Sequence, residues 1–191
     1  MDNDKQKLII ITAPSGSGKT TIVNLLLKHF PQLTFSISAC TRAPRAGEVN
    51  GVQYYFISTD EFIEKIKNQE FAEYEMVYEG KYYGTLKSEL QAIWNTEKFP
   101  LVDIDVFGAM RIKKYYQQNA LSIFIKAPSI EELEKRLKNR GTDTEQSIQE
   151  RIAKANNELS YIHHFDKIVV NDVLHTAVDE CANYIKEFLN Q

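Results

Sequence analysis

Five consecutive apolar and β-branched residues, Leu8 to Thr12, run directly into Ala13-Pro14-Ser15-Gly16-Ser17-Gly18-Lys19-Thr20, and apolar residues then recur at Ile22, Val23, Leu26 and Phe30. A short apolar run closed by Pro and Gly reads as a buried strand, and the 3.6-residue recurrence after it is one face of a helix. A glycine-rich loop between strand and helix, with Gly-Lys-Thr at the helix start, is the setting in which a Walker A loop works. The glycines let backbone amides wrap a phosphate chain at the positive end of the helix, Lys19 reaches the β- and γ-phosphates, and the Thr20 hydroxyl is placed to bind Mg²⁺. Ala13 stands at the first glycine of the strict pattern, where a tight turn matters more than phosphate contact. A dinucleotide fingerprint is excluded, because Thr21 occupies its third glycine position.

The strand-then-helix alternation returns at Phe99 to Asp105 before a helix over 107–116, at Leu121 to Lys126, and at Ile168 to Asn171 before a C-terminal helix ending near Leu189. This predicts an α/β fold with a parallel sheet flanked by helices, and the runs LIIIT, LVDID and LSIFI read as strands buried on both faces. Residues 1–33, 86–127 and 162–191 form that core. Residues 34–85 switch to alternating, aromatic-rich strands around Val52-Gln53-Tyr54-Tyr55-Phe56, with a short helix from Ser58 and Glu61 placed for a capping box. They read as an inserted α/β segment. Residues 128–161 are charged and helical, interrupted at Asn139-Arg140-Gly141-Thr142-Asp143, where Gly141 ends one helix and Thr142 or Thr144 caps the next. They read as a helical hairpin projecting from the sheet, a helical lid if the resemblance given below holds.

Phosphate chemistry needs local positive charge, because the whole chain supplies none: 23 Lys and Arg against 26 Asp and Glu give a formal charge of −3. No field draws in nucleic acid or an anionic membrane, and neither is expected as a partner. Two cysteines, Cys40 and Cys181, are too few for a secreted disulfide framework, which points to a reducing cytoplasm. The acidic start MDNDKQK and the short run LIII form neither a secretory signal nor a membrane span.

Local cations occur in two places. Arg42 and Arg45 sit on the Pro-stiffened loop Ser38 to Glu48, where they either grip a phosphate bidentately or are solvated surface. Arg136 and Arg140 share a helix face four residues apart, and Arg151 lies on the next helix; together they would converge on ATP phosphates, although Arg136 is equally placed to pair with Glu132. Asp103 and Asp105, two apart on a strand, are expected to share a face. Asp103 reads either as a Walker-B-like group near Mg²⁺ or as a cap on loop amides, and Asp105 as an arginine-contacting group or, by the resemblance given below, a base-contacting one.

The stretches APSGSGKT, SACTRAPRAGEVNG, YYGT, LVDID, RLKNRGTDT and VVND, spread over nearly the whole chain, resemble the guanylate kinase family, P-loop nucleoside monophosphate kinases that phosphorylate GMP from ATP. By position, the resemblance implies that Arg42, Arg45, Tyr54 and Tyr83 hold the GMP phosphate, and that Ser38, Glu73, Thr85 and Asp105 surround the base. It implies a loop from Ala13 to Thr20 and lid arginines Arg136, Arg140 and Arg151 on ATP, with Asn171 beside the adenine. The chemistry agrees, since guanine presents N1–H and N2–H₂ donors that carboxylates accept. One of Tyr82 and Tyr83 must instead pack in the sheet, because adjacent strand residues face opposite sides, and Glu73 could be a surface strand residue. Ala39-Cys40 and a turn at 78–81 that is one residue longer depart from the family pattern. Lys19, Arg42, Arg140 and Arg151 are thus expected to carry catalysis, with ATP and Mg²⁺ as co-substrate and cofactor, and Thr20 and Asp103 near the metal. Two other readings share these features: a related kinase acting on another phosphorylated small molecule such as ribose 1,5-bisphosphate, and a non-catalytic guanylate-kinase-like module that binds phosphopeptides.

Overall fold

The computed structural model describes residues 6–78, 80–139, 141 and 144–190. Strand β1 (Leu8–Thr12) leads through the glycine-rich loop into helix α1 (Lys19–His29) and then β2 (Leu33–Phe35). The next segment holds β3 (Ala39–Cys40), β4 (Tyr55–Phe56), helix α2 (Thr59–Lys67), β5 (Phe71–Tyr78) and β6 (Lys81–Leu86). Helix α3 (Lys87–Trp94), β7 (Phe99–Asp103), α4 (Val106–Tyr116) and β8 (Ala120–Lys126) follow. The chain ends with α5 (Ile130–Asn139), α6 (Glu145–Leu159), β9 (Lys167–Val170) and α7 (Leu174–Leu189).

Among the described residues, five strands in the order β2-β7-β1-β8-β9, all parallel, make the core sheet. Every residue of β1 is buried, as expected for a central strand covered on both faces. Ile9 and Ile11 pack with α1 and α7 through Ile22, Leu26, Cys181 and Ile185, while Leu8 and Ile10 pack on the other face with Leu90, Val106 and Ile112. Period-two alternation thus sends one strand into two hydrophobic layers. The chain fills one side of β1 with β2 and β7 before crossing to β8, so the C-terminal end of β1 opens on the topological switch point of the sheet, the usual crevice for ligands. The phosphate loop lies there.

The inserted segment carries its own sheet, β4-β3-β6-β5, in which β5 and β6 form an antiparallel hairpin. Phe62 of α2 is fully buried and stacks on Phe71 and Tyr82, with ring centroids 4.3 and 5.4 Å apart. Ser58 caps α2 by accepting from the Glu61 amide. The boundary expected at residue 34 falls within a core element, since β2 continues to Phe35 and pairs with β7. That strand is too short for its period to reveal which sheet it joins.

In the helical segment after β8, Gly141 adopts φ +68 beyond α5, and Thr144 caps α6 by accepting from the Ser147 amide. Ile130, Leu133, Ile152 and Ala155 pack α5 and α6 together around Ala127. Arg140, Thr142 and Asp143 lie outside the described residues.

Candidate active site

The phosphate loop needs φ of +95 at Gly16 and +89 at Gly18, a left-handed region open to glycine. Behind it, the Asn171 side chain donates from Nδ2 to the Ser17 carbonyl at 2.8 Å and fills the space a β-carbon on Gly18 would need. Lys19, the first residue of α1, is ion-paired with Asp103 and donates to the Ile104 carbonyl at 3.2 Å. Helix α6 reaches the loop through Arg151, whose Nη1 donates to Ser15 Oγ at 2.6 Å. Together these elements line a cavity of about 650 Å³ that includes Ser15, Gly18, Lys19, Thr20, Asp105 and Arg151.

A second cavity of about 350 Å³ opens beside it, lined by Ser38, Tyr54, Glu73, Tyr83, Asp103 and Asp105 among others. Tyr82 packs into the insert while Tyr83 turns to this cavity and meets Tyr54 edge-on, centroids 5.8 Å apart. The alternation across β6 therefore assigns Tyr83 to the site. Glu73 is only 5% exposed, and its Oε1 accepts from both the amide and the hydroxyl of Thr85, at 3.1 and 2.8 Å. Burial, with Asp105 as a like charge, pushes its carboxyl up to about 7. A surface placement for Glu73 is thereby ruled out. Thr85, fully buried, acts on the cavity through Glu73.

Among the described residues, four line both cavities: Lys19, Thr20, Val77 and Asp105. The two spaces therefore meet at the tip of the phosphate loop.

Several expected residues sit differently from the sequence reading. Asp105 is not on the strand: β7 ends at Asp103, and Asp105 Oδ1 caps α4 by accepting from the Phe107 and Gly108 amides at 2.9 and 3.0 Å. The capping role considered for Asp103 thus belongs to Asp105, because the orphan amides of a helix start require an acceptor there. Arg42 is engaged by Glu48 through Nη1–Oε2 and Nη2–Oε1 contacts of 2.5 and 2.7 Å, with its guanidinium 4.9 Å from the Tyr54 ring centroid. Arg45 is exposed, and its backbone amide donates to the same Glu48 carboxylate at 2.7 Å. Asn171 supports the loop through its side chain, and its carbonyl accepts from Arg136 Nη1 at 2.9 Å. Arg136 also pairs with Glu132, so both readings of that residue hold in part. Arg140 lies outside the described residues. Glu48 and Val77 were missed. Glu48 carries a signal in the sequence, a carboxylate six residues past Arg42 on the same Pro/Gly loop; the position of Val77 carries none.

Thr20 and Asp103 are hard oxygen donors beside Lys19, and among the described residues no three His, Cys, Asp or Glu side chains converge on a metal site. Such a donor set fits Mg²⁺, which keeps several waters and leans on substrate phosphates more than on a protein cage.

A parallel sheet with a phosphate loop at its switch point, a lid arginine on that loop and an adjoining carboxylate-lined cavity define a P-loop kinase of small phosphorylated acceptors. Residues 5–188 match the guanylate kinase family model. The chain is 53% identical to the guanylate kinase of Porphyromonas gingivalis, over 96% of this chain and 98% of that protein, and 51% identical to that of Bacteroides fragilis, over 96% and 90%. The crystal structure of guanylate kinase from Anaplasma phagocytophilum superposes with a TM-score of 0.77 at 28% identity, covering 97% of this chain and 87% of that one. The chain belongs to the guanylate kinase family.

Proposed function

We propose that the chain transfers the γ-phosphoryl group of ATP to GMP, giving ADP and GDP, with ATP in the larger cavity and GMP in the smaller. The observation that carries this is the meeting of the two cavities at Lys19, Thr20, Val77 and Asp105, so that donor and acceptor phosphates face one another over the loop.

The acceptor is a phosphate monoester, largely dianionic at neutral pH, and needs no general base. Repulsion between two polyanions is the obstacle, so catalysis rests on alignment and charge neutralisation. Lys19 exchanges Asp103 for the β- and γ-phosphates. Arg151, already on the loop, and Arg140 close from the lid, with Arg136 and Asn171 holding the loop from behind. Residues 13–20 wrap the phosphates. Arg42, Arg45, Tyr54 and Tyr83 hold the GMP phosphate, and Ser38, Glu73 and Asp105 surround the base, with Thr85 holding Glu73 in place from behind. Thr20 and Asp103 would hold Mg²⁺, which supplies charge neutralisation on the donor phosphates when bound.

A carboxylate at Glu73 accepts from guanine N1–H and N2–H₂, whereas adenine offers it nothing equivalent and leaves a buried polar group unpaired. We also assign dGMP as an acceptor, and a cytoplasmic location in keeping with two buried free thiols. Among the described residues no helix is long and apolar enough to cross a membrane.

The test is ADP release from ATP and Mg²⁺ with GMP, dGMP, AMP, UMP, dTMP or ribose 1,5-bisphosphate, against an acceptor-free control. Turnover confined to GMP and dGMP is expected. GMP turnover no greater than the control would overturn the assignment.

A further inference from the structure

We propose that Val77 sets how the γ-phosphoryl group is partitioned between GMP and water. The inference rests on the assignment of ATP and GMP to the two cavities. Of the four described residues that line both, Lys19, Thr20 and Asp105 carry charge or hydroxyl, and Val77 alone is apolar. It is half-buried and, among the described residues, belongs to none of the hydrophobic clusters that build the cores. Core packing therefore does not account for an apolar side chain at this point.

The backbone gives a second, independent observation. Along the β5–β6 hairpin Met76 faces Tyr82 and Tyr78 faces Lys81, so Val77 is the extra residue of a bulge, with no residue directly across from it. Bulges re-aim one side chain and recur beside active sites. On the same strand Tyr74 and Met76 are exposed at 42% and 51%, while Glu73 lines the second cavity and Glu75 pairs with Arg111 of α4. The inward side of β5 thus runs Glu73, Glu75, Val77, ending at the point where the cavities join.

The chemistry explains why that point calls for a hydrocarbon. In transfer, an oxygen of the GMP phosphate forms the new bond to Pγ while the bond from Pγ to the β–γ bridging oxygen breaks, and ADP departs with the electron pair. In hydrolysis a water oxygen forms that bond, ADP departs in the same way, and the water protons pass to the released phosphate and solvent. The two reactions differ in which oxygen occupies the in-line position. A water is held where two to four polar partners surround it. Lys19, Thr20 and Asp105 offer such partners. Val77 offers none.

The experiment measures inorganic phosphate and GDP formed from ATP, Mg²⁺ and GMP, and phosphate alone without GMP, for the parent, Val77→Thr, Val77→Ala and Val77→Ile. Thr keeps the β-branched shape and adds a hydroxyl, Ala opens space, and Ile keeps the hydrocarbon wall. The ratio of phosphate to GDP should rise roughly tenfold for Thr and Ala and stay near the parent value for Ile, the scale of discrimination that one methyl or hydroxyl gives in a pocket. Because both products come from the same active molecules, the ratio does not change if part of a variant is unfolded. An unchanged ratio in both Thr and Ala overturns the proposal. Glu73→Gln, assayed alongside, reads the cavity assignment by itself: an unchanged KM for GMP there overturns that assignment and, with it, the place of Val77 between two nucleotides.

Discussion

Arg42 and Glu48 are joined end-on by two hydrogen bonds of 2.5 and 2.7 Å, and the second proton on Arg42 Nη1 is placed to meet the Ala43 carbonyl at 3.0 Å. That pairing leaves the side-on edge of the guanidinium, Nε–H and the outer Nη2 proton, for a phosphate. If Arg42 holds the acceptor phosphate as proposed, Glu48 orients it rather than competing for it. Arg42 and the Arg45 amide hold the Glu48 carboxyl down at about 2. A depressed carboxyl contributes stability that is present above its ordinary value and lost as pH falls through about 2, so the pair is intact at every pH used for assay. Glu48→Gln, with one acceptor oxygen in place of two, should raise KM for GMP roughly tenfold and leave KM for ATP near the parent value. Equal KM for GMP in steady-state kinetics would refute the orienting role.

Glu73 predicts two opposite pH trends. Its folded-state carboxyl sits at about 7, above the ordinary 4.5, so the folded protein favours the protonated form. The stability it contributes is complete below pH 4.5 and is lost as pH rises through 7. Base recognition needs the carboxylate and improves over the same window: with a carboxyl at about 7, KM for GMP should fall roughly tenfold between pH about 6 and about 8. The GMP phosphate also titrates near pH about 6. Glu73→Gln removes the side-chain part of the trend and keeps the phosphate part. Thermal melts and GMP titrations of both proteins across this range are the measurement, and parallel pH profiles would sink the idea.

Asn171 behind Gly18 separates two roles. If the side chain touched adenine, Asn171→Ala would lower the use of ATP more than that of GTP. Its bond to the Ser17 carbonyl predicts instead that both donors lose alike, by roughly tenfold in kcat/KM, because the loop that holds any triphosphate loosens. Gly18→Ala should be worse than either, since it combines a φ of +89 with a β-carbon in space Asn171 already fills.

These contacts also mark what the sequence could and could not convey. Leu8–Thr12 and the loop after it were legible because a buried parallel strand must be continuously apolar and a phosphate loop must place Gly, Lys and Thr at fixed offsets. The helices at 107–116, 130–139 and 145–159 were legible from period and caps. Partners were not: nothing in the spacing of Arg42 distinguishes a phosphate from Glu48, and nothing at Asn171 says whether the amide turns to the loop or to a base. Asp105 was misread for a definable reason. Period two was carried past the end of β7 at Asp103, although an Asp directly before Val106-Phe107-Gly108-Ala109 is also a helix start.

That misreading leads to the sharpest separation of structure from function in the site. Asp105 caps α4 with one oxygen and lines both cavities. Asn is as good a cap as Asp, whereas Ala forfeits about 1 kcal/mol. Asp105→Asn should therefore melt close to the parent and Asp105→Ala a few degrees lower, by roughly 2–4 °C for a chain of this size. Yet both variants remove the charge that lines both cavities, and on the proposed nucleotide placement both should lose GMP turnover by a similar factor, on the order of tenfold or more. Melting temperature and kcat/KM for GMP, measured on the same preparations, decide between the roles. If Asp105→Asn retained full turnover, the carboxylate would be a helix cap alone, and base recognition would fall to Glu73 by itself.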